Sequence, residues 1–180
     1  MTQTTHTFQT KFSIFPKQEF TSKNTSINKL KLPRLFHYID YDKLRGKTIL
    51  DIGCGQYTEH IKSFLANFGI KYYGYDPHWQ DPFTNAKALT CSPNFITCSN
   101  TLNVIKEEEI IASIKQLIRS YNVPYIISIY DGDGSGIGKQ SQDDCWQRNE
   151  SIWDYKTPIK EFVKYNLITN DTSYLANRKF

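Results

Sequence analysis

The chain lacks the devices that staple or address many small proteins. Its 180 residues include four cysteines, Cys54, Cys91, Cys98 and Cys145, none in a C-x-x-C pair and none with histidines at zinc spacing. They read as reduced thiols, and no metal site is expected. No apolar stretch approaches the ~20 residues that cross a bilayer. The first residues, Met1 to Thr5, show no charged-then-apolar secretory pattern, so a cytoplasmic location and no membrane partner are expected. Internal repeats are absent. What remains is an ordinary globular composition with mean hydropathy −0.54, long enough for one sheet with covering helices.

Charge is uneven. Residues 1–50 hold nine bases and three acids, so they carry +6 of a net +4 and leave −2 for the remainder. A basic segment of that kind suits a polyanion such as nucleic acid, and equally a solvated lysine-rich surface. Residues 1–45 are expected to form a basic arm or cap, with aromatics at Phe8, Phe12, Phe15 and Phe20 arguing against plain disorder. Residues 46–180 form the main domain. Leu35 to Leu44 reads as a short helix ending at Gly46.

The pattern of the main domain alternates strand and helix. Apolar runs predict strands at Lys47–Asp51, Tyr72–Tyr75, Asn94–Cys98 and Tyr125–Tyr130. Helical spacing predicts helices at Tyr57–Phe68, closed by Gly69, and at Lys106–Tyr121, with Glu107 to Glu109 at its positive end. Residues 77–93 are broken by three prolines and leave room for one or two helical turns at Thr84–Leu89. A short helix is expected at Ile159–Tyr165 and a hairpin around Asn170-Asp171. This order predicts an α/β domain with a mostly parallel sheet.

The chemistry starts at Asp51-Ile52-Gly53-Cys54-Gly55 and at Asp76, 25 positions later. Strand, glycine turn, helix, strand, acid holds an adenosine-containing ligand, with backbone N–H groups at the turn and an acid for the ribose. A pyrophosphate cofactor uses a third glycine; Thr58 stands there instead. An acid two residues ahead of the first glycine suits a cationic ligand.

These residues resemble class I S-adenosylmethionine-dependent methyltransferases. The likeness spans roughly 47–130 and is carried by Ile49-Leu50-Asp51-Ile52-Gly53-Cys54-Gly55, Tyr73-Gly74-Tyr75-Asp76-Pro77 and Ser99-Asn100-Thr101-Leu102-Asn103-Val104-Ile105. The Gly-Tyr-Asp-Pro-His string with Leu-Asn-Val-Ile is similar to small methyltransferases of bacteria and phages, including those associated with DNA phosphorothioation. The resemblance implies a three-layer Rossmann-like methyltransferase fold, here shortened at one sheet edge, and S-adenosyl-L-methionine as cofactor. It implies that Asp51, Gly53, Cys54, Gly55 and Tyr57 line the methionine end. By the same likeness Asp76 holds the ribose, Pro77 and His78 flank the adenine, and Ser99 and Asn100 face the methyl group.

The acceptor is to be sought beyond the fourth strand. The loop Asp131 to Lys139 fails the phosphate-loop pattern, since Asp133 stands at the first glycine position and Gln140 replaces the hydroxyl residue. As a calcium loop it lacks the final glutamate, with Gln142 there. A mobile substrate loop is the favoured reading, and a plain surface loop the competing one. Asp131 or Asp133, with Asn100, is the candidate to orient or deprotonate the acceptor. Trp146, Arg148 and Asn149 form the candidate acceptor surface, a mix that can stack on a base and bond its edges. A nucleic-acid acceptor is the favoured reading, from the basic segment and the family likeness, with a small-molecule acceptor, or a protein that binds or consumes the cofactor without methylating, as the alternatives. No Asn/Asp-Pro-Pro-Tyr/Phe tetrapeptide and no Pro-Cys pair follows the third strand to decide among them.

Overall fold

The computed structural model of the chain describes residues 15–26, 31–157 and 160–177. The expected aromatics Phe8 and Phe12 lie outside them. Strand β1 (Thr48–Ile52) is followed by α1 (Glu59–Ala66), β2 (Lys71–Tyr75), α2 (Pro82–Thr90), β3 (Phe95–Ser99), α3 (Glu108–Ser120) and β4 (Tyr125–Ser128). A small separate hairpin pairs β5 (Lys139–Gln142) with β6 (Cys145–Gln147). The single turn α4 (Ile152–Tyr155) then leads to β7 (Phe162–Lys164) and β8 (Leu167–Thr169). The main sheet has the order β2-β1-β3-β4-β8-β7. β2, β1, β3 and β4 run parallel, and β8 and β7 add an antiparallel edge. This is a mostly parallel α/β sheet, compatible with a Rossmann-like arrangement.

Alternate residues of each central strand feed opposite cores, because side chains of a strand point to alternate faces. Leu50, Ile52, Ile96, Cys98 and Ile127 meet Ile110, Ile111, Ile114 and Ile118 of α3. Ile49, Phe95 and Ile126 meet Ile61 and Leu65 of α1 on the other face. The second core also takes Leu35, Phe36 and Leu44, all fully buried. They come from two 3-10 turns, Arg34–Tyr38 and Tyr41–Leu44, where one short helix was expected. The helices on both faces make three layers.

Residues 77–93 fold into a full helix despite their prolines. Asp81 caps it through the amides of Phe83 (2.9 Å) and Thr84 (3.1 Å), and Pro82 sits at the first helical position, where its missing N–H costs nothing. α2 returns directly to β3, so the sheet ends at β2.

The tail differs from the reading above. Residues 162–164 are strand and not helix, and the hairpin turns at Tyr165-Asn166 instead of Asn170-Asp171. Both turn residues have positive φ (57° and 60°), the backbone of a tight two-residue hairpin. Asn170 instead binds the amide of Tyr125 (2.9 Å) and the carbonyl of Val123 (3.1 Å). Glu161 ties this hairpin to α3. It accepts bonds from Arg119 (2.9 Å), Tyr125 (2.7 Å) and the amide of Thr157 (2.6 Å), with Lys115 at 3.7 Å. Burial pushes its pKa up, but those bonds outweigh it and hold it below the usual range. Among the described residues no helix is long and apolar enough to cross a membrane.

Candidate functional site

A cavity of about 680 Å³ opens at the carboxyl ends of β1, β2 and β3, where parallel sheets place their ligand sites. Asp51, Gly53, Cys54, Gly55, Asp76, Pro77, His78, Ser99 and Asn100 all line it. Tyr57 does not.

The glycine turn is built by close packing. Gly53 has φ 73°, and a Cβ there would overlap the Thr101 side chain; Gly55 has φ 69°, and a Cβ there would overlap Ser26. Gly53→Ala is expected to destabilise the fold by about 1–3 kcal/mol through backbone strain and that overlap; thermal melting of the variant measures it. Gly74 leaves room for the Cys54 side chain, 2.7 Å from where its own Cβ would stand. Burial, then the charges of Asp51 and Asp76, push the Cys54 thiol well above its ordinary pKa, so it is not a nucleophile.

The two acids play different parts. Asp51 is 2% exposed and takes one hydroxyl on each oxygen, from Thr97 and from Tyr72, both at 2.7 Å. Burial pushes its pKa up to about 6, against the lowering effect of these two bonds. Asp76 accepts from the amides of Gly55 (2.9 Å), His78 (2.9 Å) and Trp79 (3.2 Å). It therefore locks the glycine turn of β1 to the turn after β2. Its own backbone is clamped by the buried side chain of Asn85 from α2 (2.9 and 3.1 Å). Burial also holds His78 below its ordinary pKa despite nearby Asp76 and Asp144, so it is neutral at pH 7. Its ring lies 2.5 Å from Gln18.

Residues 15–26 lie across this cavity. Ser26 accepts the amide of Gln56 beside the glycine turn (3.0 Å), and the carbonyl of Lys23 takes the Trp79 indole N–H (2.9 Å). On the far side the same arm is bonded to the β5–β6 hairpin. The Ser22 amide donates to the Asp144 carbonyl (2.8 Å), the Trp146 amide donates to the Ser22 hydroxyl (3.0 Å), and the Thr21 hydroxyl donates to the Asp144 carboxylate. Phe20 stacks on Trp146 (5.3 Å), and Lys106 lies over both rings. Arm and hairpin thus close the top of the cavity together.

The candidate acceptor residues are placed elsewhere. Asp131, Asp133, Trp146, Arg148 and Asn149 do not line the cavity. Trp146 is stacked on Phe20 with the Lys106 ammonium against both rings, and a Cβ on Gly138 would stand 2.5 Å from its indole. Arg148 is buried and bound to Glu150 (2.7 Å), Glu108 and the carbonyl of Lys106 (2.9 Å), a structural knot. Asn149 staples the glycine loop, taking the Asp133 amide (3.3 Å) and donating to the Ile137 carbonyl (2.8 Å). Gly132 serves this packing, since a Cβ there would overlap Asn149, whereas Gly134 and Gly136 have open space beside them. Asp133 is exposed and paired with Lys139 (2.8 Å), and the bonds from Lys139 and Ser135 hold its carboxyl far below the usual range, which makes it a poor base.

Sequence reasoning missed Thr97, Tyr72, Asn85, Thr101, Asn103, Gln142 and Gln147, as well as the arm's Ser22 and Ser26. Thr97 carried a signal: it is the polar residue in the apolar run Phe95-Ile96-Thr97-Cys98, in register with Asp51. The arm carried none.

The basic segment divides. Lys23 lines the cavity, whereas Lys43, Arg45 and Lys47 precede β1, at the opposite end of the sheet, about 16 Å away for a five-residue strand. Lys11 and Lys29 lie outside the described residues. Among the described residues no group of three or more His, Cys, Asp or Glu side chains is placed to hold a metal ion. Comparison of the chain with protein-family models, with curated proteins and with solved structures gives no match, so the site is read from its own residues.

Proposed function

We propose that this protein is an S-adenosylmethionine-dependent methyltransferase acting on an oxygen or nitrogen acceptor. The observation that carries the reading is one cavity bringing together the positive-φ glycines of the β1 turn, the acids ending β1 and β2, and Ser99 and Asn100 at the end of β3. The charge of that cavity fits the ligand. Its lining holds two carboxylates, Asp51 and Asp76, against one lysine, Lys23. That balance favours a sulfonium and an ammonium over a pyrophosphate.

In this reading the methionine end lies beside the β1 turn, whose glycines make room for Thr101 and Ser26, with Asp51 below it as counter-charge. Asp76 has one acceptor site left, on the oxygen that takes only the Gly55 amide, and offers it to a ribose hydroxyl, and Pro77 and His78 border the base. The bound cofactor supplies a methyl group on an electron-poor sulfur. The chain's part is to hold an acceptor in line beside Ser99 and Asn100 and to keep water out beneath the arm and hairpin, work done by positioning more than by acid–base chemistry.

Calorimetric titration tests this directly. S-adenosylmethionine and S-adenosylhomocysteine are expected to bind one per chain at micromolar concentration or tighter, about −8 kcal/mol, and NAD is expected not to bind. Binding of NAD with no binding of either sulfur ligand would remove the proposal.

A further inference from the structure

The acceptor half of the cavity has a chemistry of its own. Beyond Ser99 its wall is made by the carboxamides of Asn100, Asn103, Gln142 and Gln147. None of these is charged. Asn103 and Gln147 brace each other (3.3 Å), and Gln147 also donates to the Tyr130 carbonyl (3.1 Å). Asn100 stands in the left-handed region (φ 51°), a backbone asparagine tolerates better than most residues. The Ser128 hydroxyl donates to its Oδ1 (3.2 Å). That bond occupies the amide oxygen and leaves the N–H₂ group of this lining residue to donate.

Two further observations bear on what can enter. The cover formed by residues 15–26 and the β5–β6 hairpin is bonded across by backbone and side chain at Ser22, Thr21 and Asp144. An acceptor must fit beneath it. A polynucleotide, in contrast, needs free cations along its phosphates. Three nearby cations are already tied to carboxylates, Lys106 to Glu19 (2.6 Å), Lys139 to Asp133 (2.8 Å) and Arg148 to Glu150 (2.7 Å), and Lys23, which lies over the Trp79 ring, is the single cation in the lining among the described residues. The hairpin tip adds Asp143 and Asp144. The cluster Lys43, Arg45 and Lys47 sits at the other end of the sheet.

We infer that the acceptor is a small, uncharged, polar molecule, not a nucleic-acid strand, and that it presents a hydrogen-bond-accepting oxygen or nitrogen to Asn100. This rests on the methyltransferase reading. In the transfer, a bond forms between the methyl carbon and the acceptor oxygen or nitrogen as the carbon–sulfur bond breaks. The sulfur keeps that electron pair as the neutral thioether, and the methylated acceptor gives up its proton to solvent as the product leaves the site.

The test uses the full chain and methyl-tritiated S-adenosylmethionine, with DNA, RNA and the dialysable fraction of a cell extract offered in parallel. Label is expected in a dialysable product that passes an anion exchanger, and none in DNA or RNA. Fluorescein-labelled DNA and RNA oligonucleotides are expected to show no anisotropy change with the protein at low salt. The charge reversal Lys43→Glu/Arg45→Glu/Lys47→Glu is expected to leave the transfer rate unchanged. Asn100→Ala is expected to keep S-adenosylhomocysteine affinity within about twofold while cutting transfer about tenfold or more, the worth of one positioning bond. Label in nucleic acid, a labelled product retained by the exchanger, oligonucleotide binding, or no label anywhere while S-adenosylmethionine binds would each overturn the inference. Failure to bind S-adenosylmethionine at all would instead remove the methyltransferase reading beneath it.

Discussion

Asp76→Ala is expected to cost this protein about 3 kcal/mol of stability or more and to weaken S-adenosylhomocysteine binding at least about a hundredfold. Asp76 is one carboxylate serving three backbone amides, those of Gly55, His78 and Trp79. Bonds to a charged acceptor contribute about 1.5–3 kcal/mol each, and removing the acceptor strands every donor it served. The amides of His78 and Trp79 can recover part of this from water. The Gly55 amide is harder to satisfy, because its bond crosses between two turns, and without it the β1 turn is no longer held against the end of β2. The ribose partner would go with the same side chain. Asp76→Asn separates the two effects. Its oxygen can keep His78 and Trp79, but its N–H₂ then faces the Gly55 N–H, so about one charge-assisted bond is lost instead of three. Urea denaturation gives the stability of each variant. Calorimetry below the midpoint of each gives the affinity. A variant as stable as the parent would mean that the Asn85 clamp alone holds the turn.

The central sheet was legible because it is fixed by local patterns that repeat. Ile49-Leu50, Ile96 and Ile126-Ile127 are apolar on both faces, as strands covered by helices must be. The isoleucines of α3 recur at helical spacing, and the acids and glycines of the β1 turn do a job that few other residue types can do. What escaped was decided by contacts distant in sequence. Residues 31–45 form 3-10 turns with no period to detect, yet Leu35, Phe36 and Leu44 are as deeply buried as any strand residue. α2, expected as one or two turns at Thr84–Leu89, runs longer, over Pro82–Thr90, because Asp81 and Pro82 make a favourable helix start. The short helix expected at Ile159–Tyr165 gave way to strand at Phe162–Lys164. Pairing with β8 and the tolerance of Asn166 for positive φ prevailed.

The candidate site divides along the same line. The side proposed for the cofactor follows from the strand ends, since topology alone brings Asp51, Asp76 and Ser99 to one edge. The side proposed for the acceptor does not. Trp146, Arg148 and Asn149 have the residue types of a recognition surface, but each is used inside the fold: stacked under Phe20, knotted to Glu150, or stapling the glycine loop. The residues that do face the cavity are plain carboxamides, Asn100, Asn103, Gln142 and Gln147, which carry no motif. Of the four alternating glycines that suggested motion, Gly132 and Gly138 make room for Asn149 and Trp146, whereas Gly134 and Gly136 face open space.

Asp51→Asn is expected to stabilise the fold and to weaken the ligand at the same time. The carboxyl of Asp51 has a pKa of about 6 in the folded protein, raised by burial above its value of 3.8 in an open chain. The folded state therefore holds this proton more tightly than the unfolded one. Its contribution is most favourable below about pH 4, declines as pH rises through 6, and is a constant cost above that, about 3 kcal/mol at most for a shift of two units. An asparagine keeps the shape and stays neutral, and the hydroxyls of Thr97 and Tyr72 can both donate to its oxygen or accept from its nitrogen. The variant should thus exceed the parent by about 2 kcal/mol at pH 8, with the gap closing between pH 6 and pH 4. Urea denaturation across that range reads it. Equal or lower stability at pH 8 would mean that the two hydroxyl bonds outweigh the burial of the charge. Ligand affinity should move the other way. A cationic ligand near Asp51 favours its ionised form, so the parent should release protons on binding near pH 6 and bind more weakly below it, whereas the variant should bind weakly at every pH. A charge that costs the fold stability yet strengthens the ligand is one kept for binding, and the opposite signs of the two measurements separate that role from a merely structural one.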